Sequence, residues 1–138
     1  MPLDWKEIAD RARAFAHDWQ QAEREDADAK SFWDAFFAVF GIQRRKVASF
    51  EQRIKKIDGK DGYIDLLWKG TLLIEHKSRG KDLTRALAQA KDYFPGLKRF
   101  EEPRYILLCD FWQFELHDLD ENQIHRFILP ELAQNLRL

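Results

Sequence analysis

Two apolar runs on either side of Lys69-Gly70 limit what this chain can fold into: Tyr63-Ile-Asp-Leu-Leu-Trp68 before the dipeptide and Thr71-Leu-Leu-Ile-Glu-His-Lys77 after it. Runs this short, separated by a turn dipeptide, predict a β-hairpin. The preceding segment, Asp58-Gly-Lys-Asp-Gly62, reads as a turn. Side chains alternate across a strand, so Glu75 and Lys77 point to one face and His76 to the other. Folding over Lys69-Gly70 brings Asp65 beside Ile74 or Glu75. Leu72, Leu73 and Ile74 precede Glu75, and a carboxylate ending such an apolar strand is costly unless it is paired or bound to metal. That favours a functional Glu75 over one half of an exposed Glu–Lys pair.

The flanking sequence predicts mostly helices before the hairpin and strands after it. Asp4 and Glu7 form a capping-box pattern, and Trp5, Ile8, Ala12, Phe15, Ala16 and Trp19 recur at helical spacing to about Gln21. The polar run Glu23 to Asp28 interrupts, and a second helix carries Phe32, Phe36, Val39 and Phe40 to a stop at Gly41. These helices should pair through their aromatic faces, a packing surface rather than a cofactor box. From Gln43, Val47, Phe50, Ile54 and Ile57 lie close to a helical period, which predicts a third, basic helix. A fourth helix spans Asp82 to Tyr93 and is stopped by Pro95-Gly96. Tyr105 to Cys109 suits a buried strand, Gln113 to His117 a strand with one wet face, and Ile124 to Leu129 another short strand. The expected fold class is α/β, a central mixed sheet flanked by helices. It forms one domain over 1–138, with N-terminal helices over 1–42, a core over 43–129 and an exit segment over 130–138 toward further domains.

Charge is distributed unevenly. The formal net charge is -1, but residues 43–104 hold 16 basic and 9 acidic side chains, against 5 and 9 over 1–42 and 2 and 6 over 105–138. The middle block, at +7, is where a polyanion would bind. Arg44, Arg45, Lys46, Arg53, Lys55 and Lys56 precede the hairpin and Arg79, Lys81 and Arg85 follow it; of these Arg44, Arg45, Lys46, Arg79 and Lys81 are the nearest candidates for contact with such a polyanion. The single cysteine, Cys109, sits in an apolar run and is expected as a buried thiol. No apolar stretch is long enough to span a bilayer and no signal peptide is evident, so a reducing, cytoplasmic setting without membrane contact is expected.

Two carboxylates at one strand edge offer hard oxygen ligands suited to Mg²⁺ or Mn²⁺. Cleaving a phosphodiester requires the phosphate to be neutralised, a water activated and the leaving oxygen steadied. Asp65 and Glu75 with a metal, and Lys77 beside the attacking water, meet those needs. His76 turns its ring away, so its backbone carbonyl is the expected metal contact. His17, His117 and His125 lack partners and read as surface or rim residues.

Asp65…Glu75-His76-Lys77 resembles the PD-(D/E)XK nuclease signature, the first motif matching only by its Asp. Val47-Ala-Ser-Phe-Glu51, Gly62 to Trp68, Leu72 to Ser78, Gly80 to Leu83 and Pro103 to Phe111 resemble the N-terminal nuclease domain of MmeI-like (type IIG/IIL) restriction-modification enzymes. This implies a restriction-endonuclease-like core and Mg²⁺-dependent hydrolysis of double-stranded DNA, giving 5′-phosphate and 3′-hydroxyl ends. It also implies partner domains located C-terminally in a larger parent, an S-adenosylmethionine-dependent methyltransferase and a target-recognition domain; neither motif set of such methyltransferases occurs here. A dimer during cleavage is left open. The resemblance adds Glu51, as an extra metal-holding carboxylate on the helix before the hairpin. It also adds Gln89 and Tyr93, which match a Gln-x-x-x-Tyr element of the RecB-like branch and would orient the site or touch DNA. Competing readings are a catalytically silent DNA-binding or assembly module, and a resolvase or repair nuclease of the same superfamily.

Overall fold

The protein, described by a computed structural model over residues 4–22, 25–55 and 61–135, is built on one six-stranded mixed sheet. In chain order its strands are β1 (Ser49–Lys55), β2 (Asp61–Trp68), β3 (Leu72–His76), β4 (Tyr105–Cys109), β5 (Gln113–Asp118) and β6 (Gln123–Ile128), and they lie side by side in that order. All neighbours are antiparallel except β3 and β4, which pair in parallel. The helices are α1 (Trp5–Trp19), α2 (Glu25–Val39), the short α3 (Arg44–Val47) and α4 (Leu83–Asp92). A parallel neighbour needs a crossover, and α4 with two 3₁₀ turns supplies it between β3 and β4.

The expected mixed sheet and its hairpin are present, and Leu66 pairs Ile74 across the turn. Gly70 makes that turn with φ +78, a left-handed conformation, and donates its N–H to the Glu101 carbonyl. The third, basic helix is corrected: only Arg44–Val47 is helical, and Ser49–Lys55 is strand β1 paired with β2. Phe50 and Ile54 fit a helical period and a strand alternation equally well, and ladder pairing with β2 settles the choice. The second helix starts at Glu25, earlier than expected. Lys56 and most of the Asp58–Gly62 turn lie outside the described residues.

Two cores flank the sheet. One joins Ile8, Ala12 and Phe15 of α1 and Phe32, Trp33 and Phe37 of α2 to Leu66, Ile74, Leu107, Cys109 and Phe114 of the sheet. The other joins Leu83, Ala86, Ala90 and Tyr93 of the α4 region to Ile64, Leu67, Leu73, Ile106 and Leu108. Leu129–Gln134 forms a 3₁₀ helix packed on α1, with Leu129 and Leu132 buried; 136–138 lie outside the described residues. His117 is also buried, not at the rim, and its Nε2 lies 2.6 Å from Glu115. Burial pushes the Cys109 thiol up, in keeping with an inert core position. Among the described residues no helix is long and apolar enough to cross a membrane.

One buried polar contact crosses the first core. Trp33 Nε1–H donates to His76 Nδ1 at 2.8 Å, and the imidazole lies 4.2 Å from the Phe111 ring centre. Burial lowers the His76 pKa to about 3 from 6.5. The unfolded chain therefore takes this proton first, so the stability contributed by neutral His76 is complete above pH 6.5 and is lost as pH falls toward 3. Replacing His76 by Phe should reduce the stability lost between pH 7 and pH 5, measured by urea denaturation, by about 2 kcal/mol; an unchanged loss would show that the ring is already protonated or exposed.

Candidate active site

The hairpin register sets the site. Continuing the Leu66–Ile74 pairing by one step places Asp65 opposite Glu75, and their carboxyl groups are in hydrogen-bonding contact. Asp65 Oδ2 also accepts the backbone N–H of His76 at 2.8 Å. Glu75 is 1% exposed and Asp65 is half-buried, so one acid of the pair is shut off from water and the other stands at its edge. Burial pushes the Asp65 carboxyl above the usual carboxylate range; the His76 N–H and the Lys77 charge pull it back, and Glu51 adds to the rise. Neighbouring acids in this state favour a cation between them. The donor set is all oxygen, which fits Mg²⁺ or Mn²⁺.

Lys77 leaves the strand end on the same face. Its Nζ donates to Gln89 Oε1 at 2.7 Å, and Gln89 Nε2 donates to Tyr93 Oη at 3.1 Å. Gln89 and Tyr93 lie one turn apart at the end of α4, whose N-terminus is capped by Asp82 through the Thr84 N–H. The Tyr93 phenol is pushed up to about 12, by burial first and then by the Glu75 charge. The hydroxyl therefore stays protonated close to the acid pair, and the amide between it and Lys77 fixes where the ammonium sits. The structure thus brings Asp65, Glu75, Lys77, Gln89 and Tyr93 together, while the His76 ring points into the opposite core.

Glu51 belongs to strand β1, not to a helix. It faces Asp65 between the Phe50–Leu66 and Gln52–Ile64 pairs, with a left-handed φ of 51. Such a backbone costs a non-glycine residue about 1–2 kcal/mol, and non-glycine residues held this way cluster at functional sites. Its carboxylate is turned to Lys30 of α2, 3.3 Å away. Accordingly, among the described residues no three His, Cys, Asp or Glu side chains converge as metal ligands; Asp65 and Glu75 are the converging pair. Lys30 was missed in the sequence because it lies in the acidic first block, far from the hairpin.

A family model described as MmeI, N-terminal domain, matches residues 10–138. The chain belongs to that family. No curated protein matches it. A solved cryo-electron-microscopy structure of a DrdV–DNA complex aligns with a TM-score of 0.56 at 16% identity, covering 96% of this chain and 13% of that one. At that identity the likeness speaks to the fold.

Within this MmeI N-terminal domain the basic candidates divide. The Arg44 guanidinium is bound to Asp34 at 2.7 Å and to the Ala48 carbonyl, and lies 4.0 Å over Phe50. Arg79 donates to the Gln20 and Ala22 carbonyls and lies over Trp112. Both fasten helices to the core rather than offering their charge outward. Arg45, Lys46 and Lys81 are exposed. For the acid pair, Asp65→Asn keeps an acceptor for the His76 N–H while removing one ionisable group. The metal-free variant should gain about 1 kcal/mol of stability in urea denaturation and lose Mn²⁺ binding by calorimetry; a destabilised variant would show that Asp65 is a structural residue.

Proposed function

We propose that this domain is a metal-dependent DNA endonuclease, the cleavage module of a restriction-modification enzyme. The observation that carries the reading is the buried Asp65–Glu75 contact beside a lysine whose ammonium is held by Gln89. The family match and the fold shared with a protein solved on DNA support the nucleic-acid partner. So does the +7 middle block of sequence. The matched DrdV chain is far longer than this one, which agrees with a parent whose methyltransferase and target-recognition domains would choose the DNA sequence.

Asp65 and Glu75 would hold the ion, with Glu51 and the His76 carbonyl as further oxygens. Bound there, Mg²⁺ or Mn²⁺ supplies Lewis-acid polarisation of the phosphate and lowers the pKa of a bound water. The rest of the chemistry belongs to the chain. Lys77 gives one N–H to Gln89 and keeps two, enough to stabilise a hydroxide and the anionic charge that grows on the phosphate oxygens. Gln89 limits the rotamers of Lys77, so little ordering remains for the transition state. Tyr93, buried and protonated, closes the floor behind Gln89. Arg45, Lys46 and Lys81 would meet phosphates further along the duplex without reading bases.

A silent DNA-binding module is the second reading, and one observation favours it: among the described residues no third ligating side chain joins the acid pair. Incubating plasmid DNA with Mg²⁺ or Mn²⁺ separates the two. The unaltered domain should nick the plasmid, and Lys77→Ala and Asp65→Ala should each lower the rate by roughly 10²–10³. Equal nicking by all three preparations, or none by any, would remove the catalytic claim.

A further inference from the structure

Among the described residues, Lys30 of α2 is the cation paired with Glu51. Its Nζ lies 3.3 Å from Glu51 Oε1, and both side chains are well exposed, 60% and 66%. An exposed pair of this kind is weak and exchanges readily. Its position gives it a consequence. Glu51 sits opposite Asp65 with a left-handed backbone, close enough for its charge to raise the Asp65 pKa. While its carboxylate faces Lys30, it cannot also close on an ion held by Asp65 and Glu75, and no three ligating side chains converge among the described residues.

We propose that Lys30 is a phosphate-binding residue of the active site, held by Glu51 until a divalent ion takes Glu51 over. The inference rests on the nuclease reading for the identity of the anion, a phosphate of the strand to be cut. An ammonium and a divalent ion repel each other and compete for the same carboxylate oxygens. Arrival of the ion therefore releases Lys30, whose charge is then available to a backbone phosphate near Lys77. The exchange runs equally well in reverse: a phosphate that captures Lys30 frees Glu51 for the ion. Metal and DNA then bind cooperatively, and by linkage each raises the affinity of the other by one factor. Nothing moves but two exposed side chains, so the device needs no rearrangement of the fold.

The test compares Lys30→Gln and Lys30→Arg with the parent, all in a Lys77→Ala background so that a short duplex survives the titration. Without DNA, Lys30→Gln should bind Mn²⁺ about threefold more tightly, the competitor having gone. Adding duplex should raise the Mn²⁺ affinity of the parent about tenfold and that of Lys30→Gln very little. The salt slope of duplex binding should fall by about one in Lys30→Gln and stay unchanged in Lys30→Arg. Identical Mn²⁺ affinities and salt slopes in parent and Lys30→Gln would overturn the proposal and leave Lys30–Glu51 as an ordinary surface pair. Failure of the nuclease reading looks different: plasmid remains uncut by the unaltered domain even though Mn²⁺ and duplex both bind. Absence of Mn²⁺ binding by the parent would overturn both.

Discussion

The main chain and ring of His76 tie the structure together. Its N–H is donated to the Asp65 carboxylate, its Nδ1 accepts from Trp33, and it stands between the acid and the lysine of the site. A buried carboxylate is tolerable only where donors or cations replace its lost water, and the backbone of the next strand supplies one such donor without any side chain being added. The same residue fastens the second helix to the far side of the sheet through a tryptophan that is 2% exposed. Acid pair, strand and helical pair thus share one covalent unit. Separating any two of them would leave a polar atom buried without its partner, a loss of about 1–3 kcal/mol each.

The second constraint is electrostatic. Two carboxyl groups in contact repel once both are ionised, and the structure answers with a nearby cation: Lys77, whose ammonium is held by the neutral amide of Gln89 and whose charge acts on Asp65. Anchored to Gln89, the ammonium offsets part of the acid pair's negative charge from a fixed position. The protonated Tyr93 completes the arrangement because it adds a dipole and no charge.

Much of this was legible in the sequence because it follows from strand geometry. Alternation alone separated Glu75 and Lys77 from the His76 ring, and the turn at Lys69-Gly70 fixed the approach of Asp65. Helical spacing alone put Gln89 and Tyr93 on one face. The strand character of Ser49–Lys55 was hidden, since Phe50 and Ile54 satisfy both periodicities and the deciding pairing with Asp61–Trp68 is not local. For the same reason Glu51 was expected on a helix. Arg44 and Arg79 looked like free charges because nothing in composition reveals that an arginine has found a carbonyl or an aromatic ring across the fold. Lys30 gave no signal because its meeting with Glu51 depends on how α2 lies against β1. Sequence patterns carried the near contacts, and packing carried the distant ones.

Arg79 stands two residues beyond Lys77 and reaches the carbonyls of Gln20 and Ala22, where α1 ends, while Gly80 gives its N–H to Asp110 in the turn after β4. The segment leaving the site is therefore tied down at two points before any ligand arrives. A free loop there would lose conformational entropy on binding, about 1–2 kcal/mol for each residue ordered. Here that entropy has already been lost during folding, so the α1 terminus would help set binding strength at the proposed site, which it does not touch.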